Sequence, residues 1–129
     1  MEIMYLIDTN IFLEILLGQE RKGICKDFLD TSTEGLYISD FSLHSIGVIL
    51  FKNDKKNVFR EFVNDVIPRI EIITLPKEAY EGLADIKDNL GLDFDDTYQF
   101  NVAEEHDLKI VTMDKDFEKA KNRIDVIFL

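Results

Sequence analysis

Ile3-Met4-Tyr5-Leu6-Ile7-Asp8-Thr9-Asn10-Ile11-Phe12-Leu13-Glu14-Ile15-Leu16-Leu17-Gly18 decides how this chain is read. Its first residues form a short apolar run, of the kind a strand covered on both faces requires, and the run ends at an acid. Asn10 to Leu17 then continues as an apolar-rich helical segment and stops at Gly18, where a helix would need a residue tolerant of left-handed backbone. The pattern is strand, acid, helix.

The same succession recurs to the end of the chain. Apolar runs at Ile3 to Ile7, Leu36 to Ser39, Ile70 to Leu75, Lys109 to Thr112 and Asp125 to Leu129 predict strands. Amphipathic stretches at about Arg21 to Thr31, Ser42 to Phe51, Lys55 to Val66, Lys77 to Asn89, Asp95 to His106 and Phe117 to Asn122 predict the intervening helices. Strands that alternate with helices imply an α/β fold, with a mostly parallel sheet of about five strands, helices on both faces and right-handed crossovers. There is no internal repeat and no Pro/Gly/Ser-rich linker; Pro68 and Pro76 only flank one apolar run. At 129 residues, a single domain over 1–129 is expected.

Composition narrows the function. The chain is 46% hydrophobic and 32% charged, enough to build a core. Cys25 stands alone, which excludes an intrachain disulfide and suggests a buried thiol in a reducing compartment. The first residues lack a basic leader and carry Asp8 inside the apolar run, and no stretch approaches the roughly 20 apolar residues that span a bilayer, so a cytoplasmic protein with no membrane partner is expected. The formal charge of −11 would repel a polyanion. A carboxylate site that holds a divalent cation reverses that sign locally, so the charge does not exclude a nucleic-acid substrate.

Ligands of open parallel sheets bind beyond the carboxyl ends of the strands, and polar residues collect there. Asp8, Thr9 and Asn10 follow the first strand; Ser39, Asp40 and Ser42 follow the second; Thr112 and Asp114 follow the fourth. Helix capping and metal binding account equally well for Asp8 taken alone, and Asp114 poses the same choice. Asp95 and Asp96 open an amphipathic helix, where acids also suit the helix dipole. Three acidic termini brought to one edge would supply hard oxygen ligands for Mg²⁺ or Mn²⁺.

The segments Leu6-Ile7-Asp8-Thr9-Asn10, Asp95-Asp96-Thr97 with Ala103 beyond, and Ile110-Val111-Thr112-Met113-Asp114-Lys115-Asp116-Phe117 resemble, in order and spacing, the three acidic motifs of the PIN-domain family. The likeness spans almost the whole chain. It implies a PIN-like three-layer sandwich and a metal-dependent ribonuclease acting on single-stranded RNA, as in the VapC-type toxins of prokaryotic toxin and antitoxin pairs. By the same resemblance, Asp8, Asp96 and Asp114 are the catalytic metal ligands. Asn10 and Thr112 are polar helpers, Asp95 and Asp116 are either auxiliary ligands or solvated surface, and an antitoxin protein is the cognate partner.

One position departs from the family pattern. Where the family carries a Glu on the helix after the second strand, the best register places Ser45, so Glu14 or Asp40 would have to compensate; His44 suits hard Mg²⁺ less well. That departure motivates a second reading, a non-catalytic PIN-like binding or regulatory protein. A phosphotransfer receiver or phosphatase phosphorylated at Asp8 is a third, weakened because only Lys115, a poorly placed candidate, could neutralise the phosphoaspartate. The apolar side chains between Ser42 and Val66, among them Ile46, Val48, Ile49, Phe51, Phe59 and Val63, are more than so small a core readily absorbs; they are either core residues or a homodimer surface, and the resemblance to a family whose members often pair favours the homodimer.

Overall fold

Five short strands form one sheet in the computed structural model, which describes residues 3–32 and 35–129. They are β1 (Tyr5–Ile7), β2 (Leu36–Ser39), β3 (Glu71–Ile73), β4 (Lys109–Thr112) and β5 (Val126–Phe128). Their order is β3-β2-β1-β4-β5, and every pairing is parallel. Six α-helices connect them among the described residues: α1 (Thr9–Leu16), α2 (Lys22–Thr31), α3 (Asp40–Lys52), α4 (Lys56–Asp65), α5 (Leu83–Leu90) and α6 (Phe94–His106). The expected α/β architecture is present.

Strand periodicity explains the three layers. Successive strand residues point to opposite faces, so Leu6 and Ile110 pack with α5 and α6 through Leu83, Ile86, Phe100 and Val102, whereas Ile7 and Val111 pack with α1 to α4 through Ile11, Phe12, Cys25, Ile46, Leu50 and Phe62. Phe12, Phe100 and Phe117 are fully buried, and each such side chain contributes about 1.5–3 kcal/mol by leaving water. Cys25 is part of this core, as expected; burial raises its thiol pKa, with the Glu14 charge adding to the rise and Arg21 opposing it.

Strand order creates a crevice. From β1 the chain travels outward through β2 to β3 with its helices on one face, then returns across the other face by α5 and α6 to β4. The direction reverses between β1 and β4, and a crevice opens at the carboxyl ends of strands at such a switch point. Ile7 pairs with Val111 across it, and the Asp8 amide donates to the Val111 carbonyl at 2.9 Å.

Several local expectations are corrected. The strand expected over Ile70 to Leu75 contracts to Glu71–Ile73, with Glu71 and Ile72 exposed, because β3 lies at a sheet edge. The helix expected over Lys77 to Asn89 divides into a 3-10 turn (Lys77–Gly82) and α5, meeting at Gly82 and Leu83. The last expected helix is a 3-10 turn over Lys115–Ala120. Gly35 enters β2 with φ +74, and its flank lies so close to β1 that a Cβ would stand 2.6 Å from the Ile3 carbonyl oxygen. Only glycine meets both conditions.

Candidate metal centre

Asp8 is both a helix cap and a carboxylate facing the switch point. As N-cap of α1 it accepts from the Thr9 amide at 2.8 Å through Oδ1. The same Oδ1 accepts from Gln99 Nε2 at 3.0 Å, and Oδ2 accepts from the Thr112 hydroxyl at 2.7 Å. Burial raises the Asp8 pKa; these three donors oppose the rise, while the charge of Asp114 adds to it. Thr112 ties β1 to the last acidic segment, because its hydroxyl oxygen also accepts from the Asp114 amide at 2.9 Å and from Asn10 Nδ2 at 3.4 Å. Asn10 Oδ1 accepts from the Met113 amide at 3.3 Å, so it fastens the first turn of α1 to the segment that follows β4.

The second acid enters from α6. That helix begins at Asp93, whose side chain accepts from the Asp96 amide at 2.8 Å. Asp95 and Asp96 therefore lie inside the first turn, and Asp93 caps it. Asp96 is buried, and one oxygen each from Asp96, Asp114 and Asp116 lie within 4.8 Å of one another. Burial first, then the hydrogen bond to and the charge of Asp114, then the charges of Asp93 and Asp8, push the Asp96 pKa up to about 8. A divalent cation would relieve that repulsion, and an all-oxygen donor set suits a hard ion such as Mg²⁺ or Mn²⁺.

Asp8, Asp96 and Asp114 line one cleft of about 270 Å³, together with Asn10, Asp93, Asp95, Gln99 and Ser45. The tightest acidic trio, however, takes in Asp116 rather than Asp8. Asp95 is exposed at the rim. Glu14 and Asp40 do not line the cleft. Glu14 turns toward α2 and accepts from the Arg21 amide at 2.7 Å, and Asp40 accepts from the Tyr98 hydroxyl at 2.6 Å, so both carboxylates are directed at partners outside the cleft. Ser45 does line the cleft, where it brings a hydroxyl and no charge.

Sequence reading missed two residues here. Asp93 was detectable, since an acid three residues before Asp96 matches the spacing of an N-cap and its N3 partner. Gln99 carried no such signal. It is fully buried, accepts from the Ser39 hydroxyl at 2.6 Å, and donates to Ser42 Oγ at 2.8 Å as well as to Asp8.

A three-layer α/β domain whose parallel sheet reverses its strand order belongs to the doubly wound class, in which the crevice at the switch point is the usual place for a ligand. The chain is a member of the PIN domain family, whose model matches residues 5–122. Solved structures with the same fold include FitAcB from Neisseria gonorrhoeae, 26% identical, with TM-score 0.73 and 96% of each chain covered. VapBC2 from Rickettsia felis bound to a DNA fragment from its promoter is 17% identical, with TM-score 0.79, covering 96% of this chain and 97% of that one. A toxin-antitoxin complex from Klebsiella pneumoniae is 23% identical, with TM-score 0.71, covering 88% and 89%. No curated protein matches the chain in sequence.

Proposed function

We propose that this chain is a metal-dependent endoribonuclease for single-stranded RNA and the toxin half of a toxin–antitoxin pair. The observation that carries the proposal is the crowding of Asp96, Asp114 and Asp116, one oxygen from each within 4.8 Å of the others, in the cleft that Asp8 also lines, in a chain that matches the family over residues 5–122. Asp96 and Asp114 would hold Mg²⁺ or Mn²⁺, with Asp8 and Asp116 completing the oxygen set. The cation would supply positive charge and Lewis acidity at a phosphodiester in an otherwise anionic cleft. Thr112 keeps Asp8 and the Asp114 loop in one orientation, so the carboxylates need little rearrangement as charge develops on the phosphate. Asn10 maintains the spacing between the first and last acidic segments.

An antitoxin partner is supported by the Klebsiella pneumoniae neighbour, which was solved as a toxin-antitoxin complex. A homodimer is supported by the apolar side chains that α3, α4 and β3 leave in water: Phe51 is 61% exposed, Ile72 46%, Val48 40% and Val63 37%. No helix among the described residues is long and apolar enough to cross a membrane. The second reading, a binding or regulatory protein with a degenerate site, rests on the uncharged Ser45 in the cleft.

The test is turnover of a fluorescent single-stranded RNA with Mn²⁺ or Mg²⁺, with chelator controls, by wild type, Asp8→Asn, Asp96→Asn and Ser45→Glu. The ribonuclease reading expects wild-type cleavage that both Asn variants abolish. Wild-type silence with an active Ser45→Glu would favour the degenerate-site reading. Equal cleavage by wild type and Asp8→Asn would end the assignment of chemistry to these carboxylates.

A further inference from the structure

Gln99 is a buried amide whose hydrogen-bonding capacity is spent on the acidic site's surroundings. Its Oε1 accepts from the Ser39 hydroxyl at 2.6 Å, and the Ser39 oxygen in turn accepts from the Ser42 amide at 3.0 Å, which fixes the direction of donation. With Oε1 so occupied, both Nε2 hydrogens point the other way, to Ser42 Oγ at 2.8 Å and Asp8 Oδ1 at 3.0 Å. Thr9 Oγ1 donates to the same Ser42 Oγ at 2.7 Å and closes the network against α1. The amide cannot flip without placing its oxygen against the Asp8 carboxylate.

The consequence falls on Asp8. Each carboxylate oxygen offers about two lone-pair sites. Thr9 N and Gln99 Nε2 fill both on Oδ1, and Thr112 takes one on Oδ2. One site remains. We propose that Gln99 is a positioning residue that restricts Asp8 to a single ligand position on Oδ2, and so biases the centre toward small octahedral cations over Ca²⁺. Mg²⁺-like ions require near-ideal octahedral geometry, whereas Ca²⁺ accepts bidentate carboxylates and higher coordination numbers. This rests on the metal-site reading above, and it uses a neutral donor in a cleft where Ser45 contributes no charge.

The test is calorimetric titration with Mn²⁺ and with Ca²⁺, which needs no RNA. Gln99→Met keeps the volume and removes the donor. It is expected to weaken Mn²⁺ binding about 10-fold or more, the scale of losing an outer partner of a metal ligand. Ca²⁺ binding should fall less, so the ratio of the two affinities narrows. Ser39→Ala, which leaves Gln99 in place but frees its amide to turn, should narrow the ratio in the same direction, and it serves if Gln99→Met does not fold. Asn101→Leu is the control for general damage to α6, since Asn101 is also buried but bonds to the Ala79 carbonyl away from the cleft; its ratio should equal that of wild type. An unchanged ratio in Gln99→Met, or in Ser39→Ala where only that variant folds, overturns the proposal, as does an equal narrowing in Asn101→Leu. A wild type that takes up no Mn²⁺ overturns the metal reading beneath it, a result distinct from wild-type binding that Gln99 does not influence.

Discussion

Asp96→Asn should make the metal-free protein more stable while removing its capacity for a cation. Folding lifts the Asp96 carboxyl from its ordinary 3.8 to about 8, chiefly by burial and the neighbouring Asp114. The unfolded chain releases the proton near pH 4, whereas the folded chain keeps it until about pH 8. Between those values the folded state binds more protons, so the stability of the metal-free protein falls as pH rises through this window. Without screening, the displacement would cost the fold about 4 kcal/mol at pH 7. The cleft opens to solvent, which reduces the expected cost to about 1–3 kcal/mol. Asn keeps the shape of the protonated carboxyl and carries no charge, so it should recover that amount.

The assay is urea unfolding in chelator from about pH 4.5 to about pH 8, reading the midpoint at constant slope. The stability gap between Asp96→Asn and wild type should be near zero at the acid end and grow toward pH 8. Addition of Mn²⁺ should reverse the ranking, since a ligand at about 100 times its Kd stabilises the binding-competent protein by about 2.7 kcal/mol. A variant less stable than wild type at pH 8 in chelator would refute the reasoning, as would a gap that does not change with pH. Either result would mean that burial and the neighbouring carboxylates do not keep Asp96 protonated in the folded, metal-free protein.

Three further outcomes follow from other residues. Ser45→Glu should tighten Mn²⁺ binding measured by calorimetry, because it returns an anionic oxygen to the cleft wall, and an unchanged affinity would show that the side chain points elsewhere. Gly35→Ala should lower stability by about 2–4 kcal/mol in a thermal melt, because it combines positive φ with a Cβ 2.6 Å from the Ile3 carbonyl; a loss below about 0.5 kcal/mol would mean that the backbone shifts freely there. Phe51→Glu should convert a dimer to monomer in sedimentation without lowering the melting temperature, since the side chain is 61% exposed and contributes little to the core. A wild type that sediments only as monomer would remove the dimer.

The fold was legible because the strands β1, β2 and β4 are buried and the sequence marks them as unbroken apolar runs ending in polar residues. The edges were less so. Glu71 and Ile72 stand at an edge where neither face is fully covered, so an apolar run overstates the strand's length there. Burial also misled in the other direction. Every residue of α6 from Asp96 to Ala103 is buried, Gln99 and Asn101 included, so no polar face remains to distinguish site residues from core. The identity of an acid signals a ligand, but its direction is decided by partners far away in sequence. Glu14 and Asp40 have the chemistry of ligands, and the Arg21 amide and the Tyr98 hydroxyl hold them elsewhere.

Asp8 illustrates why capping and ligation need not compete. A helix cap uses one oxygen of a carboxylate, and at Asp8 that oxygen is Oδ1. Thr112 constrains the other oxygen without consuming it, which leaves the charge of the group facing Asp114 across the switch point. The cap thus fixes the rotamer that the site requires, at a backbone position the parallel sheet has already placed beside Val111. A residue that terminates a strand, starts a helix and projects an acid into the crevice satisfies local and site geometry with one set of torsions. That overlap lets a chain of 129 residues place the proposed site largely on strand ends and helix starts.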